Sequence, residues 1–116
     1  MLLSTDIPGA CAFWRDRCGF EVDCFGEPPQ FAICSRGGAR LMYALAPAGA
    51  VIVPNWRVLP KCNSAYIWVG DAAALYAEFQ AQGAAIDFTI YDTPWGTREF
   101  GIQDPDGHDI AFGQIL

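Results

Sequence analysis

The side chains able to do chemistry in this chain fall on alternate positions of short apolar segments. Tyr66 and Trp68 share one face of a predicted strand, Glu99 and Gln103 one face of a second, and Asp109 and Ala111 one face of a third. Ser64 extends the first of these faces, and Arg40 and Met42 take the corresponding face of an earlier strand. Trp56 and Trp95 stand on loops. Aromatic rings stack on planar heterocycles, worth about 0.5–1.5 kcal/mol per pair beyond area burial. Ring faces also attract cations, by roughly 0.5–2 kcal/mol. These types suit the binding of an organic ligand that is aromatic, cationic or both. Glu99 or Asp109 would serve equally as a general base, but nothing in the spacing selects either. Each aromatic also has a plain structural use: Trp95 pins a loop, Trp56 plugs the core, and Tyr66 and Trp68 fill space.

Nucleophilic and metal chemistry is thinly supplied. The cysteines are Cys11, Cys18, Cys24, Cys34 and Cys62, an odd number with no Cys-x2-Cys pair. Neither a disulfide framework nor a zinc knuckle is expected, and free, mostly buried thiols are the reading. A cysteine nucleophile needs a base, and the single histidine, His108, reads as a solvated turn residue.

The elements that must position these groups occur twice. Phe31-Ala32-Ile33-Cys34-Ser35-Arg36-Gly37-Gly38-Ala39-Arg40-Leu41 reads as strand, turn, strand, and so, in register, does the stretch from Phe100 to Ile110. Each copy has Phe-x-Ile, a turn glycine (Gly38, Gly107) and then an apolar residue (Leu41, Ile110). Upstream of each lies a helix opened by an aspartate and closed by a glycine, Asp6 to Gly19 and Asp71 to Gly83. Strands are predicted over 20–25, 31–35, 40–45, 64–69, 86–91, 97–103 and 108–114, and Asp104-Pro105-Asp106-Gly107 suits a type I turn. Phe100, Ile102, Ile110 and Phe112, with Leu41, Tyr43 and Leu45 in the first copy, are expected under the helices. Residues 47–63 carry Pro47, Pro54 and Pro60 and read as a linker or functional loop. The domain reading is one domain over 1–116, with module 1 over about 1–46 and module 2 over about 64–116.

The chain is acidic, with net charge −6 and pI about 4.4, which makes nucleic acid a poor partner. It lacks an apolar run of membrane-spanning length and a basic, then apolar, leader, so no membrane partner is expected and a cytoplasmic location is.

The segment Trp95-Gly96-Thr97-Arg98-Glu99-Phe100-Gly101-Ile102-Gln103-Asp104-Pro105-Asp106-Gly107 resembles the C-terminal signature of the vicinal oxygen chelate superfamily (glyoxalase, bleomycin resistance protein, dioxygenase). W-G-x-R-E-F followed by D-P-x-G is closest to its bleomycin-resistance branch. Asp6, Phe13-Trp14 and Gly19-Phe20 match the family's opening. The resemblance spans nearly the whole chain. It implies an α+β fold of two β-α-β-β-β modules related by a pseudo-twofold, a curved mixed sheet enclosing a cleft, and a homodimer.

The resemblance also implies where enzymes of the family hold a divalent metal. The positions fall on Ser64, Met42 and Ala111, and a fourth precedes Met1. Serine is a poor neutral ligand, alanine none, and methionine suits only soft metals. No metal, cofactor or catalytic residue is therefore expected. The function implied is that of the bleomycin-resistance type: a small organic molecule sequestered without chemistry by Trp68, Tyr66, Trp95, Trp56, Glu99, Asp109, Gln103, Arg40, Met42 and Ser64. The alternatives are a metal-dependent glyoxalase-like lyase or dioxygenase, and a non-catalytic structural dimer with a filled cleft.

Overall fold

Two aspartates open the helices that organise the chain, and a computed structural model describes all residues, 1–116. The chain divides into two compact units, Met1–Val53 and Pro54–Leu116.

In the first unit, β1 (Leu2–Ser4) leads to α1 (Ile7–Ala12), where the Asp6 carboxylate accepts from the Gly9 N–H at 3.1 Å. The predicted helix to Gly19 does not stay α-helical: Phe13–Arg17 forms a π-helical turn, and Gly19, at φ 67°, ends it. Strands β2 (Glu21–Phe25), β3 (Phe31–Arg36) and β4 (Ala39–Leu45) follow. The sheet order is β1-β4-β3-β2, with β1 parallel to β4 and the other pairs antiparallel. Ile7, Ala10, Trp14 and Cys18 from the helical segment are buried with Ala32, Cys34, Leu41 and Tyr43 from the sheet. The one polar atom that Trp14 brings inside is satisfied, its indole N–H donating to Tyr43 Oη at 2.8 Å. The alternation of β4 thus turns Leu41 and Tyr43 inward, and Arg40 and Met42 remain exposed.

The second unit repeats the plan. Strand β5 (Ala65–Trp68) precedes α3 (Ala72–Ala81), capped by Asp71 accepting from the Ala74 N–H at 3.0 Å. Strands β6 (Ile86–Asp92), β7 (Thr97–Gln103) and β8 (Asp109–Ile115) complete a sheet ordered β5-β8-β7-β6, with β5 parallel to β8. Phe79 of α3 packs on Phe100 and Phe112, which lie opposite each other in the β7–β8 register and stack at 5.2 Å. With Ile102 and Ile110 they form a fully buried core on the helix side of the sheet. The α+β, two-module reading holds, and each module carries its own four-stranded mixed sheet.

Two local expectations change. Within the stretch read as a linker, α2 (Asn55–Val58) forms, and Trp56 donates its indole N–H to the Gly107 carbonyl at 2.6 Å. That bond fastens residues 54–63 to the Asp104–Gly107 turn. His108, expected in solvent, is buried at 6% exposure. The reason lies in the turn: Asp104 Oδ1 accepts from the N–H groups of Asp106 and His108, curling the chain so that the imidazole Nδ1 lies 3.5 Å from Ser64 Oγ.

Candidate functional site

The face of the second sheet away from α3 carries a cavity of about 690 Å³. Its lining combines four aromatic rings (Tyr66, Phe88, Tyr91, Trp95), three carboxylates (Asp87, Glu99, Asp109) and one cation, Lys61, with Asn63, Thr89 and Ala111. Every one of these residues belongs to the second unit.

Two glycines make the room. On β8, a Cβ at Gly113 would lie 1.8 Å from Tyr66 Oη. On β7, a Cβ at Gly101 would lie 2.2 Å from Phe88 Cε1. The missing side chains let both rings lie across the sheet instead of standing off it. Tyr66, so placed, donates its hydroxyl to Glu99 Oε2. Glu99 is only 8% exposed, so this charge-assisted bond supplies the partner that a buried carboxylate needs. Burial, then the hydrogen bond to Glu99 and its charge, pushes the Tyr66 phenol up to about 12, so it stays a donor at neutral pH.

At the other end of the same face, Asp109 accepts from Gln103 Nε2 at 3.1 Å and is hydrogen-bonded to Asp87. Burial first, then the charge of Asp109 and the bond to it, raises the Asp87 carboxyl above its ordinary 3.8. For an acid raised in the folded state, the protonated form is the one the fold favours. Its stabilisation is present below pH 3.8 and is lost as pH climbs through the raised value. Asp87→Asn is therefore expected to raise the melting temperature at pH 7, with the gain shrinking as pH falls toward 3.8. Calorimetric scans of both proteins across that range check it.

The rim is held rigidly. Thr93 and Thr97 share a buried hydroxyl contact at 2.7 Å, and Arg98 grips Asp92 with two bonds of 2.7 and 3.0 Å. Between them Trp95 projects with 71% of its surface exposed.

Of the residues singled out from the sequence, Tyr66, Trp95, Glu99 and Asp109 come together at this cavity. Gln103 supports it through Asp109. Trp68 is outside the lining, 61% exposed, with its ring edge-on to Tyr66 at 4.8 Å. Trp56 and Ser64 face the turn instead, through Gly107 and His108, and Arg40 and Met42 are exposed on β4 of the first unit. Lys61, Asn63, Asp87, Phe88, Thr89 and Tyr91 were not legible as site residues. Register shifts on either side of Phe88 break the alternation of β6, so that Asp87 and Phe88 both reach the cavity. Gly101 and Gly113 were the available signal, since a glycine inside a strand marks a close approach.

The divalent metal that the resemblance implies does not fit this donor set. Ala111 presents a methyl group, the Ser64 hydroxyl lies beside His108, and Glu99 is engaged by Tyr66. Nowhere do three His, Cys, Asp or Glu side chains converge as a metal site would need.

Comparison with known proteins agrees with the fold. A model of the Glyoxalase/Bleomycin resistance protein/Dioxygenase superfamily matches residues 1–112. TioX from Micromonospora sp. ML1 superposes with TM-score 0.74 at 25% identity, covering 99% of this chain and 94% of that one. The bleomycin-binding protein of bleomycin-producing Streptomyces verticillus, solved with copper(II)-bleomycin, superposes with TM-score 0.70 at 29% identity, covering 96% and 88%. TnmS3, an antibiotic binding protein from Streptomyces sp. CB03234, shares the fold at 24% identity and TM-score 0.72, covering 99% and 91%. Curated proteins give no significant sequence match.

Proposed function

The chain belongs to the Glyoxalase/Bleomycin resistance protein/Dioxygenase superfamily, and on that premise we propose that it sequesters a small organic molecule, aromatic and cationic, in the cavity of its second unit. The observation that carries this reading is the lining: four aromatic rings and three carboxylates against one lysine, around about 690 Å³. That volume suits a drug-sized ligand. Tyr66, Tyr91 and Trp95 offer ring faces for stacking, and Glu99, Asp109 and Asp87 offer the charge that a cation seeks. Likeness to the bleomycin-binding protein supports a ligand of that class. The chain binds and does not transform the ligand in this reading. In this reading it works as a homodimer, as the family resemblance implies, and sedimentation of the purified protein tests the dimer.

A thermal-shift screen with bleomycin-type glycopeptides, other cationic antibiotics, neutral aromatics and divalent metals tests the proposal. A ligand present at a hundred times its Kd stabilises the native state by about 2.7 kcal/mol. Cationic aromatics are expected to raise the melting temperature and to change Trp fluorescence, because Trp95 lines the site. A panel in which metals alone shift the transition would sink the reading. For a ligand so found, Trp95→Ala is expected to weaken binding by about 2- to 12-fold with little loss of stability. The exposed ring contributes to the ligand rather than to the core, and titration calorimetry checks the change.

A further inference from the structure

The sulfurs of Cys11 and Cys24 lie 2.7 Å apart. Cys11 sits on the buried face of α1 at 3% exposure, and Cys24 lies exposed on β2. The separation is shorter than two thiols adopt in ordinary contact and about 0.7 Å longer than a disulfide bond. The spacing of the two residues in sequence carries no pairing motif; α1 packed on β2 brings them together.

We propose that Cys11 and Cys24 form an oxidation-responsive dithiol that closes to an intramolecular disulfide on exposure to hydrogen peroxide. Cys24 reacts first because it is the exposed member. Its thiolate attacks one peroxide oxygen, the O–O bond breaks, and the departing hydroxide takes up the thiol's proton as water, leaving a sulfenic acid on Cys24. Cys11 then attacks the Cys24 sulfur. The S–S bond forms as the S–O bond breaks, and the hydroxide leaves with the Cys11 proton as a second water. Two thiols are oxidised and one peroxide is reduced to two waters. Burial, with the Cys24 contact, pushes the Cys11 thiol up to about 12, so Cys11 waits as a protonated resolving group. The charge of Arg15, one turn further along, acts on both sulfurs and opposes that rise. Cys18 and Cys34 are fully buried and Cys62 is only partly exposed, so the pair has no equally exposed competitor.

The test treats reduced protein with equimolar peroxide, quenches it in acid, and alkylates the remaining thiols under denaturing conditions. The expected result is a loss of about 2 Da before alkylation and a fall from five alkylated thiols to three. Tandem mass spectrometry should place the link at Cys11–Cys24. The melting temperature should rise by about 10 °C, since the link closes a loop of 13 residues, and fall back on adding a dithiol reductant. Cys24→Ser, at an exposed site, should fold normally and lose the response. Retention of all five thiols, a link through Cys34, a gain of about 32 Da on Cys24 in place of the loss, or a response surviving in Cys24→Ser would overturn the proposal.

Discussion

Gly113→Ala is expected to cost about 2–4 kcal/mol of stability and to weaken binding at the cavity tenfold or more. The new Cβ would stand 1.8 Å from Tyr66 Oη and 2.4 Å from Cζ, distances that no packing tolerates. Something must move, and the Tyr66 ring is what lies in the way. Its hydroxyl, however, is the donor to Glu99, which is almost wholly out of water. Displacing the ring therefore adds the desolvation of an unpartnered carboxylate to the overpacking. It also pushes the ring into the space a ligand would use. Tyr66→Phe separates the two effects: it removes the hydroxyl and leaves the ring on the glycine. It should destabilise by about 1–3 kcal/mol through Glu99 and weaken binding less than Gly113→Ala does. Urea unfolding measures the stabilities, and calorimetric titration with a ligand from the screen measures the binding. A Gly113→Ala protein as stable and as competent as the parent would show that Tyr66 does not lie where the site needs it.

The largest expected loss of stability follows Phe79→Ala, about 3–5 kcal/mol. The ring is fully buried at the point where α3 meets the sheet, edge-on to Phe100 at 5.8 Å and to Phe112 at 5.2 Å. Truncation forfeits the transfer free energy of the ring and leaves a void that the stacked Phe100–Phe112 pair, fixed by β7–β8 pairing, cannot collapse into. Against a typical total of about 5–15 kcal/mol this is a large fraction. Phe79→Leu, which keeps much of the volume, should lose clearly less. The denaturation midpoint should fall with an unchanged m-value, since the surface exposed on unfolding stays nearly constant. An equal loss for both variants would mean that the pocket relaxes around the smaller side chain.

Much of the architecture was legible because it depends on neighbours in the chain. Asp6 and Asp71 cap their helices through an amide three residues on, and the Asp104–Gly107 turn closes through its own backbone. Strand alternation correctly turned Phe100, Ile102, Ile110 and Phe112 to the helix side, and Glu99, Asp109 and Ala111 to the other. The repetition of helix and hairpin was visible for the same reason, whereas the α+β class of two β-α-β-β-β modules came with the family resemblance carried by Trp95 to Gly107.

What the linear pattern could not decide was which distant groups meet. The bulged register of β6 brought Asp87 and Phe88 to the cavity together, which a strict period of two forbids. Trp56 became a clamp on Gly107, and His108 was drawn inside by Asp104. Tyr66 became the partner of Glu99 because Gly113, on a strand far along the chain, left room for its ring. Residue type and period thus determined the elements and the face each side chain takes. Pairing across the sheet, and the packing of α1 on β2 that set Cys11 against Cys24, were decided by contacts between residues remote in sequence, on which local periodicity carries no information.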